Sequence, residues 1–221
     1  MSEPIVINDI DQYTFEFTGN KLVLTKKSSP INTNNDAQIT ELTISYKNLT
    51  TLPDNLPQNL KLLSCHNNQL TTLPDNLPQS LKELICGWNQ LTILPDNLPQ
   101  NLKILSCHNN QLTTLPDNLP QCLQHLNCSY NRLTTLPNNL PQNLENLYCS
   151  NNQLTILPNL PTSLICINLQ NNPLETNYPR IFTFNTPYEI VAYVNTRNAE
   201  MLADAQNKLA EAQKIIAMFG K

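Results

Sequence analysis

Residues 60–80 read LKLLSCHNNQLTTLPDNLPQS, residues 81–101 read LKELICGWNQLTILPDNLPQN, and residues 102–122 read LKILSCHNNQLTTLPDNLPQC. The frame continues as LQHLNCSYNRLTTLPNNLPQN from Leu123 and as LENLYCSNNQLTILPNLPTS, one residue shorter, from Leu144. An incomplete copy runs from Leu164 to Leu174, and a diverged first copy from Ile39 to Asn59. Seven units with a period of 21, once 20, decide the architecture. A unit this short cannot bury its apolar side chains alone, so neighbours must stack into a continuous core.

The shared frame is L-x-x-L-x-C-x-x-N-x-L-T-x-L-P-x-x-L-P. Alternation around the fourth position predicts a short strand in every unit, and like-facing strands stack as a parallel sheet. The L-P-x-x-L-P half cannot continue a sheet or helix, because proline lacks the N–H and fixes φ. It predicts an extended, polyproline-like return along the opposite side. At position nine stand Asn68, Asn89, Asn110, Asn131, Asn152 and Asn172, with Lys47 in the first copy. An amide there can donate to and accept from backbone groups that the turn leaves unpaired. The column is expected to be structural, and the Lys47 unit to be an edge repeat.

The first eleven positions resemble the leucine-rich repeat, with Cys where Leu or Val is more usual. The stretches LTTLPDNLPQNL and LTILPNLPTSL resemble the short bacterial type found in secreted effectors of pathogenic bacteria. The spelling NNQLT with a core cysteine is also similar to repeat proteins of giant DNA viruses. The resemblance covers about residues 39–174. It implies an α/β solenoid: a horseshoe with a short-strand parallel sheet on its concave face. It also implies binding of another protein there. Some bacterial relatives carry a large ubiquitin-ligase domain after the repeats. Here Glu175–Lys221 holds no cysteine, so that activity is not carried over.

Of seven cysteines, five (Cys65, Cys86, Cys107, Cys128 and Cys149) recur at 21-residue intervals. They are expected as a buried column of free thiols, which suits a reducing compartment. Cys122 and Cys166 fall outside the column. No C-x-x-C offers a zinc site, and no cofactor is expected. Cys65-His66 and Cys107-His108 form no dyad, because adjacent strand residues face opposite ways. No enzyme activity is expected.

Outward positions are two, three, five, seven and eight of each unit. Position eight alternates Tyr46, Asn67, Trp88, Asn109, Tyr130 and Asn151. With Leu62, His66, Ile85, Ile104, His108, His125 and Tyr148 these aromatics make the candidate partner-binding face, since Trp and Tyr anchor interfaces and concentrated exposed apolar groups mark them. The competing reading is repeat drift, with rings lying flat on neighbours. Lys61, Lys82 and Lys103 are read as a solvated edge. Asp54, Asp75, Asp96 and Asp117 are read as a solubilising convex column.

Residues 1–38 are expected to form an N-terminal cap. Tyr13–Phe17 and Leu22–Leu24 alternate around Gly19-Asn20, a hairpin that pairs Phe17 with Leu22 and Phe15 with Leu24. Ser28–Asp36 is polar and expected to loop. In the C-terminal segment 175–221, Thr186-Pro187-Tyr188-Glu189 is a capping box that starts a helix. Asn195-Thr196-Arg197 is a candidate break, and Gly220 a stop. Leu202, Ala205, Leu209, Ala212, Ile216 and Phe219 recur at three and four. This helix is read as a cap on the last repeat, with pairing to a second copy through residues 187–219 as the alternative.

Net charge is −4, from 13 basic and 17 acidic residues, which argues against nucleic acid or an anionic membrane as partner. Only three glycines occur, and none falls in a phosphate-cradling pattern. The start Met1-Ser2-Glu3-Pro4-Ile5-Val6 lacks the features of a signal peptide, and no stretch reaches the roughly 18 apolar residues of a membrane helix. The expected location is an intracellular reducing compartment: the cytoplasm, that of a host included.

Overall fold

The structure, a computed structural model, describes residues 13–18, 21–26 and 39–219. The expected solenoid is present. Strands β3 (Glu41–Thr43), β4 (Leu62–Ser64), β5 (Glu83–Ile85), β6 (Ile104–Ser106), β7 (His125–Asn127), β8 (Asn146–Tyr148) and β9 (Cys166–Asn168) form one parallel sheet in chain order. Each pairs with the next at the same repeat position: Leu42 with Leu63, Leu63 with Leu84, Leu84 with Leu105. Repeat position and sheet register are therefore one quantity, and every side-chain type forms a column along the solenoid.

Six positions of each full repeat close the core. In the second repeat these are Leu60, Leu63, Cys65, Leu70, Leu73 and Leu77, none more than 6% exposed. The cysteine column lies wholly inside, while Cys122 is exposed and Cys166 half-buried. Burial pushes the column thiols up, to about 12 for Cys86 and Cys149. A thiol held neutral so firmly is a packing group and a poor nucleophile.

The asparagines at position nine make the ladder their chemistry allows. Asn110 Oδ1 accepts the Leu91 N–H at 2.9 Å. Its Nδ2 donates to the carbonyls of Cys86 (3.1 Å), Cys107 (3.0 Å) and His108 (3.3 Å). The same set recurs at Asn68, Asn89, Asn131, Asn152 and Asn172. Each amide thus ties the turn of its own repeat to the repeat before it. Lys47 has no such amide, but its backbone N–H is held by Asn68 Oδ1 at 3.0 Å.

β1 (Tyr13–Thr18) and β2 (Lys21–Lys26) form a separate antiparallel hairpin, in which Phe17 is opposite Leu22 and Phe15 opposite Leu24 as the alternation predicts. The Gly19-Asn20 turn, the Ser28–Asp36 loop and the Gly220 stop lie outside the described residues.

After a short 3-10 turn at Ile181–Thr183, helix α1 spans Pro187–Phe219. The capping box forms: the Glu189 N–H donates to Thr186 Oγ1 at 3.3 Å, and the Thr186 N–H donates to Glu189 Oε2 at 3.1 Å. Hydrogen bonds from Thr186 and from the Asn185 N–H hold the Glu189 carboxyl below the usual carboxylate range. The expected break at Asn195-Thr196-Arg197 does not occur. Asn195 from that stretch, with Asn198 one turn on, instead docks the helix on the last repeats, and Arg197 Nε donates to the Asn177 carbonyl at 3.2 Å. Asn195 Oδ1 accepts the Leu160 N–H at 2.7 Å, and its Nδ2 donates to the Leu160 carbonyl at 2.9 Å. Asn198 Nδ2 donates to the Leu157 carbonyl at 3.1 Å. Its Oδ1 accepts from the hydroxyl of Tyr178, a fully buried side chain, at 2.6 Å.

The docked face also carries Val191 and Val194, both buried, and the half-buried Ile190, Tyr193 and Met201. This is not the seam expected from spacing. Leu202 and Leu209 are 61% and 60% exposed, and Ala205 and Ala212 are exposed as well. Among the described residues, no helix is long and apolar enough to cross a membrane.

Candidate functional site

Position eight has a property that the sequence reading did not anticipate. In all seven repeats its backbone is left-handed: φ is 58° at Tyr46, 53° at Asn67, 54° at Trp88, 52° at Asn109, 55° at Tyr130, 56° at Asn151 and 56° at Asn171. The chain leaves the sheet there, and the strand reverses into the return segment. Asn tolerates this conformation because its short amide bonds locally, whereas a bulky side chain is an outlier in it. Four repeats carry the tolerated residue. Three carry a ring that costs about 1 kcal/mol more in backbone energy.

The three rings do not recover that cost by entering the core. Tyr46 is 70% exposed, and Trp88 and Tyr130 are each 54% exposed. Nor do they all lie flat on neighbours. The Tyr46 ring stands edge-on to His66 at 5.2 Å between centroids, and the Trp88 ring edge-on to His108 at 6.4 Å. Each histidine leans back one repeat to make this contact. His66 Nδ1 lies 2.7 Å from Ser45 Oγ and 2.9 Å from Ser64 Oγ. His108 Nδ1 lies 2.9 Å from Ser106 Oγ. The His108 ring occupies the space above Gly87, where an added Cβ would come within 2.5 Å of Cε1. Glycine at that position is what lets the imidazole reach Trp88. Burial, then the neighbouring His66, lower the His108 pKa, which favours a neutral ring.

The other expected face residues are less open. Leu62, Ile85 and Ile104, expected as exposed apolar groups, are half-buried against their sheet neighbours, as are His66, His108, His125 and Tyr148. His125 contacts the Asn146 amide in the following repeat, so it does not copy the backward lean of the other two. Cys166 Sγ donates to the Tyr148 hydroxyl at 3.2 Å. Position seven is closed at Ser129 and Ser150, which are 7% and 6% exposed, and half-open at Ser45 in the first repeat. Strand side chains are flanked on both sides at about 4.8 Å, which half-buries them, whereas the rings at position eight alternate with shorter asparagines and stay exposed.

The lysines of position two are exposed, and so are the four aspartates of the return side. Large exposed apolar groups not singled out by the sequence reading are Ile93, Ile156, Ile165, Phe182 and Tyr188. Among the described residues, no group of three or more His, Cys, Asp or Glu is placed to hold a metal. No buried side-chain polar atom there lacks a partner.

Residues 101–123, 122–142 and 143–164 match the family model described as Leucine Rich Repeat. Solved structures of similar solenoids come from bacterial effector proteins. YopM from Yersinia enterocolitica is 42% identical over 60% of this chain and 29% of its own, with a TM-score of 0.57. The leucine-rich-repeat domain of a Shigella effector is 36% identical over 65% of this chain and 76% of its own, with a TM-score of 0.55. YopM of Yersinia pestis, described as a leucine-rich effector protein, is 36% identical over 62% of this chain and 44% of its own, with a TM-score of 0.51. The chain therefore spans less than half of either YopM and about three quarters of the Shigella domain. A comparison with curated protein sequences finds no match.

Proposed function

Given that the chain belongs to the leucine-rich-repeat family, with repeats of the short bacterial type, we propose that it is a non-catalytic module that holds another protein along its concave sheet face. Tyr46, Trp88 and Tyr130 are the anchors, with the flanking His66 and His108 fixing two of the rings. One observation carries this reading. Three aromatic side chains stand exposed in a left-handed backbone that asparagine fills in the other repeats. Neither backbone preference nor core packing accounts for them, whereas contact with a partner does, because exposed Tyr and Trp bring large rigid contact area. Leu62, Ile85, Ile104, His125 and Tyr148 form the half-buried floor beside the anchors. The neutral thiol column suits action in a reducing compartment.

The test compares wild type with a Tyr46→Asn, Trp88→Asn, Tyr130→Asn variant. Asparagine already occupies position eight in the intervening repeats, so circular dichroism should stay native. A partner recovered with wild type and lost with the variant supports the proposal; equal recovery of the same proteins with both refutes it.

A second reading has its own observation. The exposed Leu202 and Leu209 seam has heptad spacing, which suits pairing with a second copy. Light scattering that gives a monomer for wild type, or the same mass for wild type and a Leu202→Gln, Leu209→Gln variant, removes this reading.

A further inference from the structure

We propose that the row Tyr46–Trp88–Tyr130 binds an uncharged proline-rich segment in the polyproline II conformation, laid along the solenoid axis. The inference rests on the row being the binding site and adds the chemistry of what it holds.

Spacing is the first argument. Parallel backbone hydrogen bonding does not stop with the strands. The Asn67 N–H donates to the Gly87 carbonyl at 3.0 Å, the Trp88 N–H to His108 at 2.9 Å, and the Asn89 N–H to Asn109 at 3.2 Å. Position eight is thus held at the sheet repeat of about 4.8 Å, and rings two repeats apart are separated by about 9.6 Å. A polyproline II helix turns once every three residues at about 3.1 Å each, so it presents the same face every ~9.3 Å. Over three anchors the mismatch is about 0.6 Å. An α-helix repeats a face at seven residues, about 10.5 Å, and drifts by nearly 2 Å over the same span. An extended strand offers about 6.7 or 13.4 Å and misses outright.

Charge and hydrogen-bonding capacity are the second argument. Positions seven and eight carry no formally charged side chain in any repeat. At the adjoining positions nine and ten, the charged residues are Lys47 in the first repeat and Arg132 in the fifth. The hollow between Tyr46 and Trp88 is lined by Asn48, Asn67, Asn89, Gln90 and Asn109, all uncharged. A proline-rich segment matches this, because it is neutral, offers free carbonyl acceptors and has no N–H at its prolines. It needs donors and no acceptors. The row supplies the Trp88 indole N–H, the tyrosine hydroxyls and the amides of Asn67 and Asn109. A linear glycan would also lie across spaced rings. Its hydroxyl donors call for strong acceptors, and no carboxylate stands at positions seven to ten of any repeat. Aromatic-lined surfaces that read prolines in a preformed helix bind with little ordering of the ligand.

The experiment titrates a blocked decaproline peptide, about 31 Å long, into the full chain. Trp88, the only tryptophan, reports by fluorescence. The expected result is a saturable blue shift of its emission, with affinity reduced at least tenfold in Tyr46→Asn and in Tyr130→Asn. Absence of saturable binding overturns the proposal, as does undiminished binding in both variants. A β-1,4-linked glucose hexasaccharide runs in parallel, and its binding where decaproline fails assigns the row to a glycan instead. If decaproline fails while partner recovery still depends on the three rings, the ligand class is wrong and the protein-binding reading stands. If recovery is also indifferent to the rings, both fall.

Discussion

Replacing Asn131 by alanine isolates what the asparagine ladder contributes. Asn131 is 9% exposed, and its Oδ1 accepts the Leu112 N–H at 2.9 Å. Its Nδ2 donates to the carbonyls of Cys107 and Cys128, each at 3.1 Å, and of Ser129 at 3.3 Å. The consequences are unequal. The Cys107 carbonyl keeps a bond from Asn110, the Cys128 carbonyl one from Asn152, and the Ser129 carbonyl one from the Asn109 N–H. Only the Leu112 N–H is orphaned. An unsatisfied buried donor costs about 1–3 kcal/mol, and losing one bond from a still-satisfied acceptor costs about 0.5 kcal/mol. Equilibrium urea unfolding should therefore show a loss of about 3 kcal/mol. Asn131→Asp keeps the acceptor but turns a second carboxylate oxygen toward three carbonyls. It should be worse than alanine at neutral pH. Burial among carbonyls raises the folded pKa of that Asp above its unfolded value, so the folded state takes up the proton first. Its stability falls as pH rises above the unfolded pKa, and the deficit against wild type narrows as pH is lowered. An alanine variant within about 0.5 kcal/mol of wild type would refute the ladder as a source of stability, leaving leucine stacking to hold the turns.

Two further outcomes follow from burial. In native protein an aromatic disulfide reagent should label Cys122 quickly and Cys166 more slowly, and leave the five column thiols unreacted until denaturant is added; a third fast thiol refutes the closed core. Asn195→Ala removes the side chain that satisfies both backbone groups of Leu160 and should speed amide exchange in α1 with a loss of about 1–2 kcal/mol, whereas Leu202→Gln, at an exposed position, should stay within about 0.5 kcal/mol of wild type. Equal effects from the two would mean that the helix is not held by the docked face described here.

The fold was legible because its causes are periodic. Leucine at positions one, four, eleven and fourteen and Cys at six return at a fixed interval, and each return places one more side chain in a shared column. The hairpin pairing was legible for the same reason, since alternation on both sides of Gly19-Asn20 in the sequence favours the register that the two strands adopt. The helix seam misled, because spacing at three and four reports that a face is apolar without reporting what it meets. The docking groups, Asn195, Asn198 and Tyr178, are polar or aromatic and occur once, so no period marks them. The left-handed turn left a readable trace. Asn67, Asn109 and Asn151 at position eight are the side chains that such a backbone prefers.

That trace also sharpens what the aromatics mean. The leucine columns, the thiol column and the amide ladder, which hold the solenoid together, have the period of one repeat. The rings at Tyr46, Trp88 and Tyr130 have the period of two. The left-handed backbone is identical in every repeat and favours asparagine at each place the rings stand, so it does not generate the doubled period. The near-identity of residues 60–79 and 102–121 shows how a two-repeat block can be copied whole, but copying alone does not account for Tyr130, whose surroundings have diverged to Ser129 and Arg132. His66 and His108 share that doubled period and support two of the rings, but the rings remain more than half exposed, so the row at about 9.6 Å is open to the ligand proposed above.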